Sequence, residues 1–542
     1  MKNILYKSII FTFLFNASLS AQTTYNVEDF GAKGDSATIN TIAIQRAIDV
    51  ASDNRGGVVI IPAGTFISGT IRLKSYVTLR LENGAMLLGS PNLSDYPEIT
   101  PAINSRVNLY CKRSLIYAED LDHIGIEGDG TIHGNGGSFP RDAPYLLRPF
   151  IIRVISCRDV RVEGVTLTSS PMWTHHYLNC DRVRINGIKV WGFSNFNNDG
   201  IDIDGCRDVI ISNSNFSTSD DGITLKSTSD HPTQGIVITN CIVRSRSSAI
   251  KFGTDSSWGF KDITISNCTV LKVPLNEPFI FGQDRKIGYV GIELIIVDGG
   301  DMERVAVDNV SIQGYLVPFG VRLGDRGKGY VPEDTEKSKT PYSRPTGTIK
   351  DISFSNIVAS EGGRNVGIML LGHPGHPIKD ISLSNITIRN EGGGEAELVN
   401  RVVEEKAREY PQFAWWGNMP AYGLYGRHLE GLKLSNIRLE TIHPDQRHAL
   451  VLDDVKDADL NGISTSPGTE ANALIRLSQS SNILIRGCNP QSPKGTYLKV
   501  DGENSSGITL LGNDLSKVKK PIELSEEVIP GEVHQESNFE PK

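Results

Sequence analysis

Along this chain, short phrases of alternating apolar and polar residues recur, and each ends at an asparagine or a glycine. VRINGI, IISNSNF, IVITNC and ITISNC place Asn186, Asn213, Asn240 and Asn267 at an even spacing of 27 residues. The phrase returns around Asn309, Asn356, Asn385 and Asn436, then ends in Gly462, Gly487 and Gly512, 25 apart. Alternation marks a half-buried strand, and Asn and Gly tolerate the left-handed backbone of a tight bend. One short strand cannot bury its apolar side alone, but stacked coils of about 25 residues can. The pattern therefore predicts an all-β chain, a right-handed parallel β-helix with a short N-terminal capping helix. A β-propeller is the competing repeat, and its blades of about 40–50 residues do not fit this spacing.

The capping helix is expected where Ile44, Ala47, Ile48 and Ala51 recur at helical spacing, with Thr41 as N-cap. No interdomain linker interrupts the repeats. The expected organisation is a signal peptide over 1–21, a cap with first rungs over 22–90, a β-helix over 91–515 and a C-terminal tail over 516–542. Two insertions are expected near 325–348 and 391–425, the second aromatic, with Tyr410, Phe413, Trp415, Trp416, Tyr422 and Tyr425 within it or at its edge.

Aligning four repeats on their inward pairs, Ile201/Ile203, Ile223/Leu225, Ile250/Phe252 and Ile292/Leu294, stacks Asp202, Thr224, Lys251 and Glu293 on the outward side. Asp199, Asp220 and Asp221 precede the first two pairs and fall into the same patch. Like charges crowded this way repel and raise at least one pKa, which suits chemistry needing one protonated and one ionised carboxyl. Two blander readings stand beside it: turn-forming aspartates and a Ca²⁺ site. No cofactor and no protein metal site are expected.

Composition narrows the partner. The 542 residues carry 55 basic and 63 acidic side chains, a net charge of −8, which disfavours nucleic acid. Lys2 and Lys7 before an apolar run, followed by Ala17, Ser20 and Ala21, read as a secretory signal. Its removal takes the net charge to −10. The expected location is secreted or periplasmic, as a monomer with no membrane span. Seven scattered cysteines show no CxxC pair and are expected as buried thiols.

With these residues in view, the chain resembles glycoside hydrolase family 28, the polygalacturonase family. DFGAKGD, TIAIQRAID and GGVVIIP resemble its cap, SPMWTHH its SPxWxxH segment, NNDGID its NTDGxD motif and SDDGI its DD motif. The resemblance covers residues 25 to 440. It implies inverting hydrolysis with Asp220 as general acid and Asp199 and Asp221 activating water. It also places His176 at the family's histidine. Two departures stand out: Ser248 where the family's GHG has histidine, and Glu293 and Ile295 where it has RxK.

The cations that grip a sugar carboxylate must then come from elsewhere. Lys251, Lys226, Arg322 and Arg326 are the candidates, with Asp202 and Trp416 completing the substrate-binding set. Each has a structural reading beside it. Lys226 would pair with Asp204, Lys251 with Glu293 or Asp202, the arginines with Asp325 or Glu333, and Trp416 would pack in its loop. The leading function is hydrolysis of an acidic, uronate-containing polysaccharide or its oligosaccharides. The rivals are a lyase or dehydratase acting by β-elimination through Lys251, His176 and Asp221, and a non-catalytic carbohydrate-binding β-helix.

Overall fold

The computed structural model describes residues 23–141, 143–278, 286–328, 345–465, 471, 473–490 and 492–540. The expected signal peptide and most of the first insertion lie outside them. Every strand-to-strand pairing among the described residues is parallel, and the strands join into one continuous coiled sheet. The chain is a parallel β-helix.

The local reason is the repeat itself. Strands of four to six residues such as Ile201–Asp204 and Asn215–Thr218 are too short to stand alone. Each buries one side: Ile201, Ile203, Phe216, Ile223 and Leu225 have no exposure and join one core running from Val27 to Val528. Full burial of one such side chain stabilises by about 1.5–3 kcal/mol. At the bends, Asn213, Asn240, Asn267, Asn309, Asn356, Asn385 and Asn436 take φ between 53° and 55°. Their amides form a ladder, with Asn213 Nδ2 donating to Asn186 Oδ1 at 2.9 Å and Asn436 Nδ2 to Asn385 Oδ1 at 2.9 Å. Asn186 differs: the left-handed residue there is Gly187, φ 66°.

The helix Thr41–Asp53 covers the N-terminal end of the core through Ile44, Ala47, Ile48 and Ala51. Its N-cap is Asn40 rather than Thr41, because the Thr41 hydroxyl instead accepts from Gly69 N at 2.8 Å. At the other end the coil continues past 515. Strands Val518–Leu524 and Val533–Glu536 pair onto Ser492–Asp501 and Ser506–Leu511, so the expected tail is one further rung of two strands. All seven cysteines are buried thiols without disulfides. No helix among the described residues is long and apolar enough to cross a membrane.

Candidate active site

The register is the one the inward pairs predict. Asp202 lies opposite Thr224, Thr224 opposite Lys251 and Lys251 opposite Glu293, while Ile201, Ile223, Ile250 and Ile292 stack inside. Adjacent rungs are about 4.8 Å apart, so side chains separated by many residues meet. The NNDG turn before Ile201 is fixed by Asn198, whose side chain accepts from Ser194 N and Asn195 N and donates to Ser170 O and Met172 O. The following turn is fixed at Asp220 O, which accepts from Thr218 Oγ1 at 2.7 Å and Ser245 Oγ at 2.6 Å. These bonds aim Asp199, Asp220 and Asp221 to the outward side of the coil.

Loops cover that side, so the group is less exposed than an open groove. Asp199 and Asp221 are each 4% exposed, Asp202 not at all, and only Asp220 of the four is partly open to solvent. Burial, then the neighbouring Asp221 charge, pushes Asp220 up to about 6. Burial, then Asp220, pushes Asp199 well above the usual carboxylate range. Asp202 is pushed up to about 7 by burial, against the pull of Lys226. Asp221 goes the other way. Burial would raise it, but Lys251 and Lys226 outweigh burial and hold it below 3.8. Four neighbouring carboxyl groups are thus driven apart in protonation, the separation that acid–base chemistry needs.

Two lysines do this. Lys251 Nζ lies 2.9 Å from Asp221 Oδ2, 4.0 Å from Glu293 Oε2 and 3.2 Å from the Tyr410 hydroxyl. Lys226 Nζ lies 3.5 Å from Asp202 Oδ1 and 4.5 Å from the centre of the Trp173 ring. Its expected partner Asp204, directly opposite in register, is already taken. Asp204 accepts from Thr228 N at 2.8 Å, from Thr228 Oγ1 at 2.5 Å and meets His176 Nε2 at 3.3 Å.

The two departures from the family motifs touch each other. Ser248 Oγ donates to Glu293 Oε2 at 2.7 Å, beside Lys251. Burial pushes Glu293 up to about 7 despite Lys251. Ile295 is fully buried in a second apolar cluster with Phe413 and Trp416. The side chain no sequence pattern singled out for the site is Tyr410, carried over Lys251 by the 391–425 insertion. Tyr410 and Trp415 are the exposed aromatics of that segment, 44% and 55%, with rings 5.3 Å apart.

Several expected substrate contacts are placed elsewhere. Trp416 is 2% exposed, donates through Nε1 to Glu404 O at 3.0 Å and packs in the second cluster, so it offers no sugar platform. Arg322 stacks on Trp416 at 4.4 Å and donates to Lys406 O, holding the insertion down. Arg326 is committed to Asp298 and Asp255, at 2.5 and 2.8 Å, rather than to Asp325. His176 has no exposure, stacks on Phe150 at 5.5 Å and is kept neutral by burial, so it does not reach the cleft. No group of three or more His, Cys, Asp or Glu side chains among the described residues is arranged to hold a metal ion.

A parallel β-helix bearing a cluster of carboxyls on one rung pair is the setting. Residues 58–273, which contain all four aspartates, match the model of the glycosyl hydrolases family 28. A probable polygalacturonase of Vitis vinifera is 32% identical over 258 residues, 43% of this chain and 52% of that protein. An exo-poly-alpha-D-galacturonosidase of Dickeya chrysanthemi is 27% identical over 388 residues, 61% of this chain and 63% of that protein. The chain thus spans between half and two thirds of the length of these relatives. In fold it is similar to a hyperthermoactive exopolygalacturonase of Thermotoga maritima, with a TM-score of 0.54 at 22% identity, covering 68% of this chain and 87% of the other. A family 28 exopolygalacturonase of Yersinia enterocolitica gives 0.53 at 21%, covering 85% and 78%.

Proposed function

We propose that the protein is an exported glycoside hydrolase that cleaves glycosidic bonds in polygalacturonan or its oligosaccharides by a two-carboxylate, inverting mechanism. The observation that carries this is the split between Asp220 and Asp221. Asp220 is pushed up to about 6 and faces solvent, while its neighbour Asp221 is held ionised by Lys251 at 2.9 Å. Asp220 gives its proton to the glycosidic oxygen as the bond to the anomeric carbon breaks. Asp221 takes a proton from the water whose oxygen joins that carbon from the opposite side. Asp199, kept protonated by burial and by Asp220, orients that water. Lys251 is a positioning residue for Asp221. Lys226, above Trp173, is the cation that faces the sugar carboxylate.

Two observations weigh against elimination. Lys251 is held well above its ordinary pKa by Asp221 and Tyr410, despite burial, so it does not act as a base. His176 is enclosed on Asp204. The test is incubation with polygalacturonan and its oligomers, following reducing ends and unsaturated-uronate absorbance together. New reducing ends without absorbance are expected. Absorbance rising together with the reducing ends overturns the hydrolytic reading, because elimination leaves an unsaturated uronate on one fragment and a reducing end on the other.

A further inference from the structure

The outward column that carries the candidate site continues far beyond it. From Lys251 it passes through Glu293, Gly320, Met369, Tyr425, Val451 and Arg476 to Lys499, seven rungs away. At ~4.8 Å per rung that is about 34 Å along the solenoid. The middle of the column is sealed: Met369, Tyr425 and Val451 are buried with Phe413, Trp416 and Met419 of the insertion. Where the insertion ends, the column opens again into a cavity of about 410 Å³.

Small residues make its floor. Ala473 and Thr496 face each other in register, and Gly495 adds no side chain. Its rim is basic, with Lys499, Lys519 and Lys520 against the single acid Glu523. None of the three lysines makes an ion pair with a described residue, while Lys226, Lys251 and Arg326 near the aspartate cluster are paired. His448 closes one side. It is 1% exposed, its Nδ1 donates to Ala473 O at 2.6 Å, and its Nε2 has no partner. Burial pushes His448 down to about 4, so that nitrogen is a neutral acceptor. A cationic cavity in a chain of net charge −8 is unexpected for a mere solvated face. Three unpaired ammonium groups suit a carboxylate, and a small floor leaves room for a pyranose ring.

We propose that this cavity is an accessory binding site for uronate units of the same polysaccharide that is cleaved at the aspartate cluster. It rests on the reading that the substrate is a polyuronate. The two sites share one face, so a chain held at Lys499, Lys519 and Lys520 raises the effective concentration of its other units at Asp220. Short oligomers cannot span about 34 Å and gain nothing from it.

The test compares the wild type with a Lys499→Gln/Lys519→Gln/Lys520→Gln variant. Native electrophoresis through gels containing polygalacturonan reads binding. Kinetics on a trimer and on the polymer read the consequence. The wild type is expected to be retarded by polygalacturonan and not by its fully methyl-esterified form, and the variant to lose the retardation. Its kcat/KM on the polymer should fall about 10-fold while that on the trimer stays unchanged. Equal retardation of the two proteins, or equal retardation by the esterified polymer, overturns the proposal. Absence of turnover on the trimer by the wild type would instead overturn the catalytic reading, and the gel would still decide the accessory site.

Discussion

Lys251 Nζ lies 2.9 Å from Asp221 Oδ2, and both side chains are almost wholly buried. This pair sets the electrostatics of the site. Without the ammonium, Asp221 would share the fate of Asp199 and Asp202, whose burial drives them towards the neutral acid. With it, one carboxylate stays ionised among neighbours that hold protons.

Asp220→Asn keeps the shape and the backbone bond to Asp221 N but removes the transferable proton. Turnover should fall by ~10²-fold or more with substrate affinity largely kept. Steady-state kinetics beside equilibrium binding of an oligogalacturonate checks this.

The pH profile of kcat/KM should be a bell. Activity is lost upwards through about 6, as Asp220 gives up its proton. It is lost downwards below 3.8, as Asp221 becomes protonated. In Lys251→Met the opposite charge beside Asp221 is gone, so the acid limb should move up by ~1 unit or more while the basic limb moves little. A lysine that only tied rungs together would lower stability and leave both limbs in place.

Glu293 is a second probe of the same buried field. Its folded pKa, raised to about 7, exceeds its ordinary 4.5, so between those values the folded state holds a proton that the unfolded state has released. Stability from this group therefore falls as pH rises through that window. Glu293→Gln removes the buried charge and should raise Tm more at pH 8 than at pH 5, relative to wild type. Thermal unfolding at the two pH values reads the difference.

Arg326 should behave as a structural residue. It bridges Asp298 and Asp255, which also pairs with Arg106, in a buried network beside the site. Arg326→Ala leaves buried Asp298 without its ion-pair partner and Asp255 with Arg106 alone, and should cost about 3–5 kcal/mol. KM on oligomers should change little for the molecules that remain folded. A large rise in KM with unchanged stability would return Arg326 to the substrate.

What the sequence made legible follows from periodicity. The rungs at Asp202, Thr224, Lys251 and Glu293 could be aligned because Ile201, Ile223, Ile250 and Ile292 repeat at the same place in each coil. Contacts that cross the coil's outward face leave no such trace. Tyr410 reaches Lys251 from 159 residues away, on a segment without repeat. Lys226 sits opposite Asp204 in register yet turns to Asp202, because Thr228 and His176 occupy Asp204 first. The last rung leaves a fainter trace for a similar reason. In Val518–Leu524 only Val518 is fully buried, so the terminal coil lacks the clean alternation of the inner ones.

The central claim is that Asp220 and Asp221 divide acid and base work on opposite sides of the scissile bond. Proton NMR during the first turnovers on an α-linked galacturonate oligomer tests it most directly. The account predicts that the new reducing end appears first as the β-anomer and only later equilibrates. First appearance of the α-anomer, or of an unsaturated uronate at the new non-reducing end, would contradict it.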